Sequence, residues 1–372
     1  MEQRDYWNTD VEIPVSVPIC RMSKKELRRK KRKIYIGRII LCLLTFILLV
    51  FAALLGISAT INYGPSESAR DLFVMTVMET SAAKPLATLF FSDEEIQKIT
   101  QANTYVAPKE ITNTDLIEIP DANNTDEEFD INKIEIFDVT GATYKGKMMV
   151  VNDPSRVIVG TSGSYGSGYA GKTVQDMIIE NGGIAGTNGG GFEDANGVGN
   201  GGTPLGIVIS GGQLKWGSTS QTYEVIGFDS NNKLVVGNMT GQEALDMGVR
   251  DAISFGPILI VNGEPTEVTG SGGGLNPRTA IGQRADGAVL LLVIDGRQAN
   301  SLGANYGDLI NVMTEYGAVN AANLDGGSSS LLVYNNEVIS TCASLYGPRK
   351  MPTCIVVKDV QQSNESEGGQ VE

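Results

Sequence analysis

Residues 315–330 read EYGAVNAANLDGGSSS, and residues 180–192 read ENGGIAGTNGGGF. Each stretch follows a segment with a helical pattern and passes through a glycine typical of a helix C-cap. Each then continues as a strand of small residues that ends in Asn or Asp followed by Gly-Gly. We interpret the two stretches as structurally equivalent units whose ends, Asn188 and Asp325, converge on one cleft. In a chain with 45 glycines, chance similarity is the alternative.

The rest of the chain adds many strands and few helices to these units. Helix signals are strongest in 173–181 (TVQDMIIEN), with Thr173 as N-cap and Gly182 as C-cap, and in 304–316 (ANYGDLINVMTEY). The combination predicts an α+β domain built on a mixed β-sheet and spanning residues 129–360. Apolar runs between glycines predict strands at residues 134–139, 147–151, 156–162, 204–210, 223–228, 233–237, 257–262, 288–295, 330–334 and 353–357.

The N-terminal part is predicted to anchor this domain in a membrane. Residues 34–61 are interpreted as a transmembrane signal-anchor helix, because about 20 apolar residues cross a hydrocarbon core of about 30 Å. The basic cluster KKELRRKKRK at 24–33 would hold residues 1–33 in the cytoplasm as a basic arm. A single-pass protein with its C-terminal domain outside the cell follows from this, and a cleaved signal peptide is the alternative.

Two further segments flank the predicted domain. Residues 62–128 are interpreted as a membrane-proximal stalk and linker, since they combine an apolar stretch interrupted by Pro85 with a region rich in Thr, Asn and acids. Residues 361–372 are predicted to be a disordered tail.

Charge and composition argue against several function classes. The chain has no histidine and a net charge of −14. The first 61 residues carry 11 of the 29 Lys and Arg but only 5 of the 43 Asp and Glu, so the remainder is strongly acidic and would repel the phosphates of nucleic acid. Without histidine, acid–base catalysis falls to carboxylates, Lys or Tyr, and a zinc site is disfavoured.

Two cysteines belong to the predicted external domain. Cys342 and Cys354 flank a short segment that contains Gly347, Pro348 and Pro352. In an oxidising compartment they would form a disulfide that closes a loop between two late strands. Two free buried thiols are the alternative.

Polar clusters follow several of the predicted strands. Asp325 by itself is a weak signal, because Asp-Gly is also a common hairpin turn. Taken singly, each cluster is equally well a turn or a surface ion pair, but four of them in one domain favour a shared polar site. The others are NGGGFED (188–194) with Asn188, Glu193 and Asp194, NPRTAIG (276–282) with Arg278, and LVIDGRQ (292–298) with Asp295 and Arg297.

The order of the motifs resembles a known family. NGGGF, GTPLG (202–206), FGPILIVNG (255–263), NPRTAIG, VIDGRQ and NLDGGSSS follow one another along residues 130–358. In this order they resemble the phosphodiester glycosidase family, in which these clusters surround the active site. The resemblance implies roles for Asn188, Arg278, Asp295, Arg297 and Asp325. Asn276 stands where the family often has histidine, which leaves its effect on activity open.

The resemblance and the neighbouring residues of the same motifs define the candidate site. The catalytic candidates are the carboxylates of Asp325, Asp295 and Glu193. The substrate-binding candidates are Asn188, Gly189, Gly190, Arg278, Arg297, Gly326, Gly327 and Ser328. Asp194 and Asp325 are the candidate ligands if the protein uses Ca²⁺ or Mg²⁺, which prefer oxygen ligands.

The implied reaction suits these residue types. It is hydrolysis of the bond between the anomeric carbon of a sugar and a phosphodiester. The planar fork of arginine binds phosphate oxygens, glycines let backbone N–H groups approach a ligand, and a carboxylate attacks the sugar or activates water. Cell-envelope glycopolymers or exopolysaccharide would be the natural substrates.

Two other functions remain as alternatives. One is a non-catalytic glycan-binding or envelope-assembly protein that uses the same cleft. The other is an acidic adhesion module stabilised by calcium. Replacing Asp325 by Asn and assaying binding and hydrolysis separately would distinguish a binding protein from an enzyme.

Overall fold

A computed structural model describes residues 23–80, 83–119, 130–194, 199–344 and 347–360. The α-helices within these residues are α1 Lys24–Tyr63, α2 Glu67–Met78, α3 Pro85–Thr88, α4 Asp93–Ala102, α5 Val174–Glu180, α6 Gly241–Asp246 and α7 Tyr306–Glu315. The strands are β1 Ile134–Thr140, β2 Lys145–Val151, β3 Val157–Thr161, β4 Gly183–Asn188, β5 Val208–Ser210, β6 Gln213–Trp216, β7 Thr222–Asp229, β8 Leu234–Thr240, β9 Val249–Ser254, β10 Ile258–Val261, β11 Glu264–Pro265, β12 Arg278–Arg284, β13 Val289–Ile294, β14 Ala318–Leu324, β15 Leu332–Tyr334, β16 Glu337–Val338 and β17 Thr353–Lys358.

Helix α1 provides most of the first of two compact units, which ends at Ile57, whereas the second begins at Ser58. It is 40 residues long, and its apolar side chains from Ile34 to Leu54 are largely exposed. Among the described residues it is the one helix that is long and apolar enough to cross a bilayer.

The strands of the second unit form three sheets. Their strand orders are β1-β2-β13-β12-β14-β10-β11, β16-β15-β4-β17-β3 and β6-β5-β9-β7-β8. The α+β class and all of the predicted strand segments are confirmed. The prediction of a mixed sheet is wrong in one respect. Each neighbouring pair of strands in these sheets is antiparallel, so no sheet combines parallel and antiparallel pairs. The reason is that α5 and α7 lead into strands that lie between antiparallel neighbours, not into parallel crossovers.

Both predicted helices begin with side-chain caps. The Thr173 hydroxyl accepts a hydrogen bond from the backbone N–H of Asp176 at the start of α5. Asn305 and Asp308 form a reciprocal capping box at the start of α7. These caps satisfy backbone N–H groups of the first turn and fix the point at which each helix starts.

The main core lies among the three sheets. It joins apolar side chains from all of them, including Met149 of β2, Phe228 of β7 and Ile355 of β17. The outer face of the large sheet is covered by α7, whose Leu309 and Met313 are fully buried. Apolar side chains of this kind contribute about 1.5–3 kcal/mol each on full burial, which makes the sheets a rigid support for the residues at their edges.

The segment predicted to be a stalk and linker is hydrogen-bonded to the domain. The backbone N–H of Ser271 donates to Asn103 Oδ1 at 2.7 Å, and the Tyr105 hydroxyl donates to Glu224 Oε1 at 3.0 Å. The backbone N–H and the hydroxyl of Thr112 both donate to the carbonyl of Val236. Helices α2 to α4 share a small apolar cluster of their own. The boundary predicted at residue 129, the arm up to residue 22 and the tail 361–372 lie outside the described residues.

The predicted disulfide is not confirmed, because Cys342 and Cys354 are free thiols in the structure. Cys354 is completely buried in β17, and Cys342 packs partly buried against the same apolar cluster. Sγ of Cys354 lies against Gly160 of β3, so its side chain fills the gap between two paired strands. Burial raises the pKa of the Cys354 thiol, which disfavours the reactive thiolate.

Candidate active site

The antiparallel order of the large sheet gathers the predicted polar residues at one edge. β14 ends at Leu324 and β12 begins beside it, with Thr279 paired to Leu324. β13 ends at Ile294, which pairs with Arg278. Residues that follow β14 and β13 therefore emerge next to the start of β12.

The two similar units meet at this edge, as expected. The Asn188 side chain donates from Nδ2 to the Asp325 carbonyl at 2.6 Å, and the Asp325 N–H donates to the Gly189 carbonyl at 3.1 Å. Asn188 is fully buried, and its Oδ1 accepts from Thr279 and from the Leu331 N–H. Asn188 is therefore the joint between the two sheets instead of a ligand contact.

A cavity of about 340 Å³ opens beside Asp325. Its wall contains Arg278, Arg297, Gly326, Gly327 and Ser328 from the predicted set, together with Asp194. Three arginines and three carboxylates line it in all among the described residues, since Arg349 and Glu79 join those named from the sequence. A recess with these side chains is suited to a polar ligand, and its arginines can bind an anionic group of that ligand.

Asp325 is a carboxylate of this wall with a strongly raised pKa. Burial raises the pKa of Asp325 from 3.8 to about 6, against the lowering effects of hydrogen bonds with Ser329 and the Gly326 N–H. The Gly326 N–H lies 2.9 Å from Asp325 Oδ1. A carboxylate that titrates near neutral pH can exchange protons with a substrate or with water.

Arg278 is held mainly by the protein itself. It is 4% exposed, and its Nε donates to the Ala304 carbonyl at 3.2 Å. Its Nη2 donates to the carbonyls of Gly273 and Gly274. The guanidinium also stacks over Tyr306, with Cζ 4.6 Å from the ring centroid. Most of its N–H donors are therefore used, and these contacts hold its positive charge at a fixed position in the cavity wall.

Arg297 is more available to a ligand. Its side chain makes one hydrogen bond among the described residues, from Nη2 to Asn276 Oδ1 at 3.2 Å. Its backbone has φ of +58°, which a residue with a side chain rarely adopts. Such a conformation costs on the order of 1–3 kcal/mol and is kept where the surrounding structure needs it.

Arg349 supplies the third positive charge. Its Nη1 donates to Asp194 Oδ2 at 2.7 Å and to Ser328 Oγ at 3.2 Å, and its guanidinium lies over the ring of Phe192. The hydrogen bond from Arg349 holds the pKa of Asp194 below its usual value. Asp194 is thus the permanent counter-ion of Arg349.

The structure places several other candidates away from the cavity. Asp295 accepts hydrogen bonds from the N–H and the hydroxyl of Thr341, both at 2.8 Å, and does not line the wall. Glu193 is exposed and lines a neighbouring pocket beside Trp216. These positions leave Asp325 as the best placed of the three carboxylates named from the sequence.

The glycines that follow Asn188 serve packing, whereas those that follow Asp325 line the cavity. A Cβ on Gly189 would lie 2.6 Å from Thr353 Oγ1, and one on Gly190 would lie 2.7 Å from the Ser254 carbonyl. Both glycines are buried and absent from the cavity wall, so they permit close packing of strands instead of close approach of a ligand. Gly326 and Gly327 lie in the wall itself.

The structure adds no support to the predicted Ca²⁺ or Mg²⁺ site. Among the described residues, no group of three or more Asp, Glu, Cys and His side chains could hold an ion. Asp194 and Asp325 line the same cavity, and one of them is already paired with Arg349. A role for Ca²⁺ or Mg²⁺ stays a prediction.

Sequence reasoning missed residues that reach the cavity from distant segments. Glu79 follows α2, Tyr306 begins α7, and Arg349 precedes β17. Arg349 lies inside the segment between the two cysteines, which was interpreted only as a closed loop. Arg349 follows Gly-Pro a few residues before the apolar strand β17, a signal similar to the Asn-Pro-Arg that identified Arg278, so it could have been predicted.

The model of the phosphodiester glycosidase family matches residues 181–358. The predicted resemblance to this family is confirmed. The matched segment contains β4, β12, β14 and β17, and with them all of the cavity-lining residues described above except Glu79.

Individual relatives cover parts of the chain. The SPbeta prophage-derived protein YomE of Bacillus subtilis is 31% identical over 36% of this chain and 23% of its own length. Mouse N-acetylglucosamine-1-phosphodiester alpha-N-acetylglucosaminidase is 29% identical over 54% of this chain and 42% of its own length. The chain thus spans less than half the length of these two relatives.

A solved structure supports the fold. The catalytic domain of the zebrafish N-acetylglucosamine-1-phosphodiester alpha-N-acetylglucosaminidase, in a form auto-inhibited by its pro-peptide, superimposes with a TM-score of 0.53. The match covers 67% of this chain and 88% of that domain at 23% identity. At this identity the likeness concerns the arrangement of strands and helices.

Proposed function

We propose that this protein is a hydrolase that cleaves the bond between the anomeric carbon of a sugar and the oxygen of a phosphodiester. The observation that carries the proposal is the cavity in which Asp325, with its pKa raised to about 6, shares the wall with three arginines. The match to the phosphodiester glycosidase family supports the same reaction class.

The arginines would hold the phosphate group. Arg297 and Arg349 are the main contacts, because Arg278 already donates to backbone carbonyls. A guanidinium presents two parallel N–H groups to two phosphate oxygens. A phosphate bound there would leave its sugar in the part of the cavity lined by Asp325, Gly326 and Gly327.

Asp325 would act on the attacking water. A water oxygen forms a bond to the anomeric carbon, and the bond from that carbon to the phosphate oxygen breaks with its electron pair moving to the phosphate. The ionised Asp325 takes a proton from the water. This step yields a free sugar and a phosphate monoester, and positive charge from the arginines stabilises the departing anion.

The names of the relatives suggest the first substrate to test, a diester of N-acetylglucosamine 1-phosphate. Cell-envelope glycopolymers or exopolysaccharide with such linkages are the natural candidates. α1 would anchor the enzyme, and its basic start at residues 24–33 would keep that end in the cytoplasm and the domain outside. Protease added to intact protoplasts should then remove the domain and spare the arm; protection of the domain would contradict this orientation.

The test of the reaction uses the full-length protein in detergent and the variant Asp325→Asn. Turnover of a sugar-1-phosphodiester should fall by at least about 10²-fold, the lower end for loss of general acid–base catalysis, while affinity is largely kept. Asp138→Asn is the control, because Asp138 of β1 is exposed and forms an ion pair with Lys147 of β2.

The outcomes separate an enzyme from a binding protein. If the wild type binds the diester but releases no free sugar under any condition tried, the protein is a glycan-binding module and the proposed activity is wrong. If Asp325→Asn keeps normal turnover, Asp325 is part of a turn only. Repeating the wild-type assay with a chelator, and then with added Ca²⁺ or Mg²⁺, tests the open metal prediction.

A further inference from the structure

Glu79 enters the cavity from outside the family-matched segment. It follows the last residue of α2, and its side chain is 35% exposed where it lines the same wall as Asp325. Nothing in the motifs at residues 188–330 requires a carboxylate from this part of the chain. The family-matched segment supplies the cavity with one carboxylate of raised pKa, Asp325. Glu79 adds a second from outside that segment.

The contacts of Glu79 distinguish its two oxygens. Oε2 accepts a hydrogen bond from Asn276 Nδ2 at 2.9 Å and lies 3.2 Å from Arg278 Nη2. Among the described residues, Oε1 has no hydrogen bond or ion pair. A protonated carboxyl keeps one oxygen as acceptor and carries its proton on the other, so the proton of Glu79 would be on Oε1.

The surroundings of Glu79 favour that proton. Burial raises the pKa of Glu79, against the lowering effects of the charges of Arg278 and Arg297. The other titratable groups facing the cavity are less suited to donate. Asp194 is kept ionised by Arg349, and burial raises the pKa of the Tyr306 phenol, which tightens its hold on the proton.

A bound phosphate would strengthen this preference. Glu79 lies against Arg278 and near Arg297, where the diester would place negative charge. An ionised carboxylate there would repel the phosphate, whereas a neutral one donates a hydrogen bond to it. Because the chain contains no histidine, a carboxyl is the available proton donor of ordinary acidity at this position.

We propose that Glu79 is a catalytic residue, the acid that protonates the departing phosphate oxygen. This inference rests on the proposed function. As the bond from the anomeric carbon to the phosphate oxygen breaks, that oxygen takes the proton from Oε1 of Glu79, while Asp325 takes one proton of the attacking water. Solvent then returns a proton to Glu79 and removes one from Asp325, so one water is consumed for each bond cleaved.

The test compares Glu79→Gln with the wild type and with Glu67→Gln, an exposed position at the start of α2, the helix that Glu79 follows. Each full-length protein is assayed on an alkyl diester of N-acetylglucosamine 1-phosphate across a range of pH. Glutamine keeps the size of the side chain and a hydrogen-bond donor, so KM should stay within about threefold. The kcat should fall by about 10²-fold, and the alkaline decline of kcat/KM in the wild type should disappear.

Each other result overturns the proposal in a recognisable way. An unchanged kcat with a lower KM would mean that the carboxylate only competes with phosphate for the arginines. Full activity with an unchanged pH profile would mean that Glu79 is structural. If the wild type itself cleaves no sugar-1-phosphodiester, the proposed function fails and this inference fails with it, whereas the first two results leave that function intact.

Discussion

Asp325→Asn should make the protein more stable at neutral pH even as it lowers turnover by at least about 10²-fold. The pKa of Asp325 rises from 3.8 to about 6 because folding removes the carboxylate from water. A difference of this size corresponds to about 3 kcal/mol against folding once the group is ionised, and this is an upper limit because part of the side chain reaches the cavity. Asn avoids that cost and still offers an oxygen to the Gly326 N–H.

The free energy of unfolding should depend on pH in a direction that the raised pKa of Asp325 determines. The folded state holds the proton more tightly than the unfolded chain, so the stability linked to this proton is present below about pH 4 and is lost as pH rises through about 6. The advantage of Asp325→Asn should therefore be about 3 kcal/mol at pH 8 and about half of that at pH 5. Urea unfolding in detergent, followed by tryptophan fluorescence, measures it at each pH.

Asp138→Asn is the matched control for the same titration. A hydrogen bond from Lys147 lowers the pKa of the exposed Asp138, so its replacement should give no gain at pH 8. Asp325→Asn could show no gain in stability at pH 8, or a gain that does not shrink toward pH 5. Either result would mean that burial does not raise the pKa of Asp325. Its assignment as the proton acceptor would then lose its physical basis.

Two other predictions test the surroundings of the site. Arg349→Lys keeps the positive charge but cannot bridge Asp194 and Ser328 or cover Phe192, so KM for a phosphodiester should rise by about tenfold with little change in kcat; steady-state kinetics would contradict this if only kcat fell. Cys354 should resist alkylation in the folded protein and react after unfolding, since it is fully buried with a raised pKa; mass spectrometry that instead finds it disulfide-linked to Cys342 would show that the bridge predicted from the sequence does form.

The sheet edge at the active site could be predicted from sequence, because each contributing motif is a strand followed at once by a polar group. Asp325 follows β14 in this way, whereas Arg278 stands at the start of β12, and short loops leave both little freedom once the strands pair. Glu79 could not be predicted in this way. Its segment contains an ordinary amphipathic helix, and its place in the cavity depends on contacts with Asn276 and Arg278 that are distant in the chain.

The same limit applies to strand direction and to the cysteines. Hydrophobic periodicity identifies a strand but contains no information on which neighbour it pairs with, so it does not determine the antiparallel order around β14. The spacing of Cys342 and Cys354 is compatible with a loop closure, yet the Cys354 side chain points into an apolar cluster. The distance and direction of the two side chains decide whether two thiols can form a disulfide, and sequence spacing does not report either.

The two similar units show most clearly how burial separates chemistry from architecture. Asn188 and Asp325 end equivalent strands and precede equivalent glycines, so their local sequences favour neither as the functional residue. Asn188 is fully buried, and its side chain is used for bonds to Thr279, Leu331 and the Asp325 carbonyl. A neutral amide tolerates that position, because it donates and accepts without the cost of burying a charge. Asp325 faces a cavity with arginines in its wall, where a charge can form and be used. Exchanging the two residues should therefore fail at both positions, since Asp at 188 would bury a carboxylate beside a carbonyl and Asn at 325 would remove the group that takes the proton.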